Sequence, residues 1–274
     1  MAKSFDVLFS ILFHDAPDII DCMILNIARY CGLNFAVVIN VSPSLKSDPR
    51  FSTIFEKYSG ESNVLFYFSS EDKRKYTFDI GRGHLEAIKS FKGLGFNFDN
   101  VVFLASNCLF VKPIPNELFK DDKNSNYLDQ SENANPLKNR TESWPTIDFF
   151  LNQRDLMIYL YLNRLSLKKQ LLEGAIYSAK VVLFLINLLE TSPQIFPFGN
   201  KVNVDNYPAE EYIFPTINYF LTGNLPTSLI HFDWNATPEV VDRLLQKNSS
   251  NSYGLKRVER DPNDPVRQYI KSLY

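Results

Sequence analysis

Four apolar runs separated by helix-patterned segments govern what the first 115 residues can fold into. Phe5–Phe13, Phe35–Val41, Asn63–Phe68 and Val101–Ala105 are short and rich in Val, Ile, Leu and Phe, so each reads as a strand. They are nearly continuous rather than alternating, which is the pattern of a strand buried on both faces. Asp15-Ala-Pro-Asp opens the first intervening helix, with Ile19, Ile20, Met23, Ile24 and Ile27 at helical spacing. Ser42-Pro-Ser closes the second run, Pro49–Tyr58 reads as the next helix, and Ile80–Phe91 follows behind Gly81 and Gly83. The alternation predicts an α/β fold with a mainly parallel sheet and helices on both faces.

Beyond this region the pattern is looser. Asp121–Thr141 is rich in Asn, Asp, Lys and Ser and reads as a polar loop or lid. Apolar helix-like patterning resumes over Pro145–Leu171, and Val181–Leu189 reads as a buried helix. Leu229–Trp234 is strand-like, Pro238–Gln246 helical, and Lys247–Tyr253 a polar loop. We expect one domain over residues 1–274: an α/β half to about 115, the polar loop at about 121–141, and a second half from about 142.

Composition excludes several functions. Net charge is −2, from 29 basic and 31 acidic residues, so a general nucleic-acid binder is not expected. Cys22, Cys31 and Cys108 lack CxxC spacing and read as buried free thiols in a reducing compartment. His14, His84 and His231 have no metal-ligand spacing and read as packed or surface residues. His14 and Asp15 break the first apolar run, so no signal peptide is visible, and no run reaches a membrane span. The expected location is the cytoplasm, with contact to the inner membrane surface only through a partner or a substrate.

Ligands of open parallel sheets bind beyond the carboxyl ends of the strands. Those ends carry His14-Asp15, Ser42-Pro43-Ser44, Ser69-Ser70 and Ser106-Asn107, which suit a hydroxyl-rich ligand and are equally common turn formers. Asp79-Ile-Gly-Arg-Gly-His84 lacks the GxGxxG and Walker patterns; it is a phosphate-approach candidate or a plain helix start. Lys256, Arg257, Arg260 and Arg267 form a local basic cluster, either a solvated surface or a site for a diphosphate. No Asp-x-Asp motif stands at a strand end, and Asp261 and Asp264 lie in a Pro-rich turn. Glu210 and Glu211 follow a turn signal and precede an apolar run that Pro215 interrupts. Acids there are helix-end chemistry or a general base at a pocket rim.

Read in order, several of these segments resemble the core-2/I-branching family of β-glycosyltransferases, which includes branching N-acetylglucosaminyltransferases and peptide xylosyltransferases. Leu8–His14 with its helix and Val38–Ser42 resemble the family's opening strand, helix and strand. Tyr76–Ile88, with its Gly-x-Gly-His-x-x-Ala-Ile core, is similar to the segment before the central strand. Phe103–Pro113 stands where the family has a Ser/Gly-x-Asp-x-Pro element, with Cys108 in place of the frequent Asp. Pro208–Thr216 resembles the family's Pro-Asp-Glu-x-x-x-x-Thr motif. Phe232-Asp-Trp234, the Pro238 helix and Tyr253–Val258 are similar to the family's Asp-Trp, helix and basic ending. The likeness spans roughly residues 5–260, without the paired cysteines and membrane anchor of secretory-pathway members, so a compact bacterial or phage-derived relative is expected.

The resemblance implies a GT-A-like, Rossmann-like fold with a nucleotide-sugar-binding half to about 115 and an acceptor and catalytic half from about 142. It also implies inversion at the anomeric carbon, a UDP-sugar donor (UDP-GlcNAc first) and no metal cofactor. The acceptor would be a glycan or lipid-linked glycan of a bacterial surface. Glu211 then matches the catalytic base, with Glu210 as the alternative if the register slips by one. Lys256 and Arg257 fall to the diphosphate, His14, Ser42, Arg82 and Ser106 to the nucleotide and donor side, and Trp144 and Trp234 to the acceptor. Two other readings stay open: a non-catalytic glycan- or nucleotide-binding module on the same fold, and a metal-dependent transferase using Asp99 or Asp205.

Overall fold

The computed structural model describes residues 3–14, 16–71, 78–120, 153–196, 209–246 and 252–273. Trp144, Asp205 and the polar stretch 121–141 lie outside them. In chain order the elements are β1 (Ser4–Phe13), α1 (Asp18–Tyr30), β2 (Phe35–Val41), the single turn α2 (Pro43–Lys46), α3 (Pro49–Tyr58), β3 (Val64–Phe68), α4 (Asp79–Gly93), β4 (Asn97–Ala105) and β5 (Cys108–Phe110). They continue with α5 (Arg154–Leu162), β6 (Ile176–Ser178), α6 (Ala179–Thr191), α7 (Glu210–Thr222), β7 (Ile230–Phe232), α8 (Pro238–Gln246), β8 (Gly254–Lys256) and α9 (Pro265–Ser272).

Among the described residues the central sheet runs β3-β2-β1-β4-β6, parallel throughout except for β6, which pairs antiparallel to β4. The mainly parallel α/β fold read from the sequence is therefore present. β1 residues feed two cores. Val7, Phe9, Ile11 and Phe13 pack with α1, α8 and α9, while Phe5 and Leu8 pack with α4, α6 and α7. Burying one such side chain stabilises by about 1.5–3 kcal/mol, so both faces drive the sheet together.

β4 starts four residues before the expected Val101. Its polar opening, Asn97-Phe-Asp-Asn, carries no strand pattern, yet Asn97 pairs with Ser4 of β1. Tertiary pairing overrides local propensity there. The sequence also concealed a second sheet among the described residues, β5-β8-β7, with strands of three residues each. β7 lies within the strand-like Leu229–Trp234, while β5 and β8 are too short to show a period. Asn26 of α1 ties this sheet down: its side chain donates to Phe110 O at 2.9 Å and accepts from Phe110 N at 2.8 Å. That bidentate contact positions β5, hence β8 and Lys256.

The last helix, α9, follows the Pro-rich turn of Asp261–Asp264 and carries no sequence expectation of its own. Asp264 caps it by accepting from Arg267 N at 2.9 Å, and Pro265 occupies the first turn. Arg267 is 1% exposed and donates to Glu259 O from Nε at 3.1 Å and from Nη2 at 2.9 Å. The expected basic cluster is thus divided, with Arg267 serving the core.

Candidate functional site

The chain runs outward through β1, β2 and β3, then returns to place β4 on the other side of β1. The β1–β4 boundary is therefore the topological switch point, where open sheets of this kind leave a crevice. Beside its carboxyl end lie the start of α7, the segment before β6, and β8. β8 pairs antiparallel with β5, which sets Lys256 opposite Cys108.

α7 carries Glu210 and Glu211 in its first turn, and both are buried, at 3% and 7% exposure. Pro215 does not end the apolar run; it sits inside the helix. Its lack of an N–H leaves the Glu211 carbonyl without a helical donor. Gln170 supplies one, its N–H reaching Glu211 O at 2.9 Å. One turn on, Thr216 Oγ1 accepts from Lys168 N at 2.8 Å. The strand-like segment 168–170 is thereby fastened along α7, and three residues later it delivers Glu173.

Glu173 is the residue the sequence reading missed. It precedes Gly174, whose φ is +81° and where a Cβ would lie 2.4 Å from Ile230 Cγ1, so glycine is required. Gly174 N donates to Phe103 O and its carbonyl accepts from Leu229 N, both at 2.8 Å. So held, Glu173 Oε1 meets Lys256 Nζ at 2.6 Å, with the two side chains 17% and 13% exposed. The available signal was a lone acid in the apolar stretch Leu171-Leu-Glu-Gly-Ala-Ile176.

These charges set one another. Burial acts to raise the Glu173 pKa, but the Lys256 charge and hydrogen bond prevail and hold it below the ordinary value. Burial acts to lower Lys256, and Glu173 more than offsets this, leaving the ammonium firmly protonated. Glu211 is pushed up to about 8, by burial first and by the Glu173 carboxylate second, against Lys256 and Lys169. Burial drives Glu210 well above its usual value, and its Oε2 has no hydrogen-bond partner. Glu210 is therefore neutral near pH 7, whereas Glu211 sits within reach of both protonation states. Beneath them His84 shares a 2.8 Å hydrogen bond with Ser10, and burial lowers its pKa to about 3.

The remaining expected site residues are scattered. Arg257 has φ +78°, and its guanidinium lies 4.6 Å from the Trp234 ring and 5.3 Å from Phe232. Trp234 is 69% exposed, an open aromatic face beside the Lys256 strand. Ser106 is buried and accepts from Arg260 Nε at 2.7 Å. Ser42 is buried as the α2 cap, accepting from Leu45 N at 3.3 Å. His14 is exposed just beyond β1. Arg82 contacts Glu71 at 3.2 Å, Asp79 at 3.4 Å and Glu86 at 3.7 Å, so three carboxylates surround it.

Gly81 and Gly83 lie within α4 rather than ahead of it. The close approach at Gly81 is to α7: an added Cβ would come 3.0 Å from Glu210 Cβ. Cys108, which stands where the resemblance expects Asp, is 2% exposed, and burial pushes its thiol up to about 12. Asp99 is exposed near the amino end of β4, about 20 Å along the strand from the switch point at ~3.3 Å per residue. It is not part of this cluster. Among the described residues no three His, Cys, Asp or Glu side chains group to hold a metal ion. Also among them, no helix is long and apolar enough to cross a membrane.

No family model matches the chain, and no curated protein matches it. Solved structures with partial likeness include S. aureus TarS 1–349 with UDP, at TM-score 0.30 and 16% identity over 39% of this chain and 29% of that one. TarS 1–349 with UDP-GlcNAc gives TM-score 0.29 and 15% identity over 38% and 27%. The chain spans less than a third of the length of those structures.

Proposed function

We propose that the chain is an inverting glycosyltransferase that moves a sugar from a UDP-sugar to a glycan or lipid-linked glycan acceptor, in the manner of the core-2/I-branching family. The observation that carries this reading is one arrangement: a buried carboxylate poised near neutrality, Glu211, in electrostatic reach of a largely buried ammonium, Lys256, at the switch point of the sheet. Inversion is a single in-line displacement. It needs a base for the acceptor hydroxyl and a positive charge for the departing diphosphate.

Glu211 is the base in this scheme. A carboxylate with a pKa near the working pH has the strongest drive to accept a proton while remaining available in its ionised form. Glu210 fits the role poorly because it is held neutral. Lys256 stabilises the diphosphate as its bond to the anomeric carbon breaks, which would replace a metal ion. Arg257, braced on Phe232 and Trp234, stands beside it, and Trp234 offers a face for an acceptor sugar.

The test is Glu211→Gln, which keeps the shape and removes the base. Transfer from UDP-GlcNAc or another UDP-sugar should fall by at least a thousandfold while UDP binding is retained. Transfer should also survive EDTA. Full activity in the variant would remove the assignment, and strong inhibition by EDTA would replace the metal-free scheme with a metal-dependent one. Saturable glycan binding without transfer or donor hydrolysis, across a panel of sugar nucleotides, would favour the binding-module reading.

A further inference from the structure

We propose that Glu173 holds Lys256 before the donor binds and yields it to the donor's diphosphate, making Glu173 the positioning residue that couples donor binding to the base. This rests on the transferase reading above.

Three observations carry it. The Lys256 ammonium, which the diphosphate needs, is already engaged at 2.6 Å by Glu173 Oε1. The backbone that carries Glu173 is fixed, because Gly174 behind it is bonded to Phe103 and Leu229 and has no space for a side chain. Its other oxygen, Oε2, is buried without a hydrogen-bond partner. A buried carboxylate is tolerated while it is paired and becomes costly once the pair breaks. The ion pair is therefore a built competitor for the ligand, and breaking it has a definite consequence at Glu173.

The groups around Glu173 fix that consequence. α7 presents Glu210 and Glu211, α4 presents His84, and β8 presents Lys256 opposite Cys108. His84 is neutral and Cys108 is a thiol, so Lys256 is the positive charge among these groups that keeps Glu173 ionised. When Lys256 turns to a diphosphate, Glu173 is left beside two other acids and takes up a proton. A neutral Glu173 no longer raises Glu211 by like charge. Donor binding thereby removes one obstacle to the base ionising, partly offsetting the charge the diphosphate brings.

Calorimetric titration with UDP-GlcNAc tests this, because its diphosphate has no titratable oxygen near neutrality. In the parent at pH 7, run in two buffers of different ionisation enthalpy, binding should take up close to one proton. Glu173→Gln should bind UDP-GlcNAc on the order of tenfold more tightly, since Lys256 is no longer claimed. It should lose the proton uptake and move the acidic limb of the rate profile to lower pH. In a Lys256→Met background, Glu173→Gln should not change affinity.

Proton uptake in the parent and tighter binding by Glu173→Gln support the exchange. Binding that is unchanged or weaker in Glu173→Gln overturns it, and so does a parent that takes up no proton. Both of those results leave the transferase assignment standing if Glu211→Gln still abolishes transfer. Absence of UDP-GlcNAc and UDP binding in the parent removes both.

Discussion

Glu211→Gln should make the protein more stable, and by an amount that grows with pH. In the folded state burial and Glu173 hold the Glu211 proton to about 8, whereas the ordinary value is 4.5. Below pH 4.5 both folded and unfolded chains carry the proton, and Glu211 imposes no pH-dependent cost. Between 4.5 and 8 the unfolded chain has released it and the folded chain has not, so this carboxyl lowers stability as pH rises. The slope is about 1.4 kcal/mol per pH unit, which reaches about 3 kcal/mol at pH 7.

Gln is nearly isosteric and does not titrate, so the variant is spared that penalty. Glu173 is ionised in both states above pH 5.5 and adds no slope there. His84 runs the opposite way: with its folded value lowered to about 3, stability rises with pH until the unfolded value near 6.5 is passed. That contribution is common to parent and variant, so their difference isolates Glu211. Urea unfolding of both proteins at pH 5, 6, 7 and 8 measures it. A difference that stays flat across the series, or a variant that loses stability as pH rises, would refute the burial argument for Glu211.

Other outcomes follow from the same geometry. The parent's kcat/KM should climb tenfold per pH unit below about 8 and level off above, because the base must be ionised; a pH-rate profile flat from 6 to 8 contradicts this. Gly81→Ala pushes a methyl to 3.0 Å from Glu210 Cβ and should displace the start of α7, costing about 1–3 kcal/mol in thermal unfolding and reducing transfer more than UDP binding. Arg267→Ala removes a side chain that is 1% exposed together with its hydrogen bonds to Glu259 O, and should cost about 3 kcal/mol in urea unfolding, unlike a surface arginine, which should cost under about 0.5.

Much of the scaffold is legible in the chain. The limits of α3 and α8 and of strand β2 follow from Pro positions and from unbroken apolar runs, which act over a few residues. The mainly parallel order follows from strands that are apolar on both faces. Glu211 was legible as a candidate because an acid pair at a helix start ahead of an apolar run is a local signal. What was not legible is equally specific. The Asn97 end of β4 and the strands β5 and β8 exist only because remote partners pair with them, whereas β7 lies within the strand-like Leu229–Trp234. Arg267 and Lys256 look alike in sequence, yet one is spent on backbone carbonyls in the core and the other faces a carboxylate.

By itself, then, the sequence determined the α/β layering and the two acids at the start of α7. Tertiary structure sets the two acids apart. Glu210 lies against Gly81 of another helix and is kept neutral, while Glu211 is tuned by Glu173 and Lys256, residues tens of positions away in the chain. Local patterning sets hydrogen bonds and apolar faces over a few residues. A pKa is set by burial and by charges in space, and those exist only once the sheet, α7 and β8 have come together.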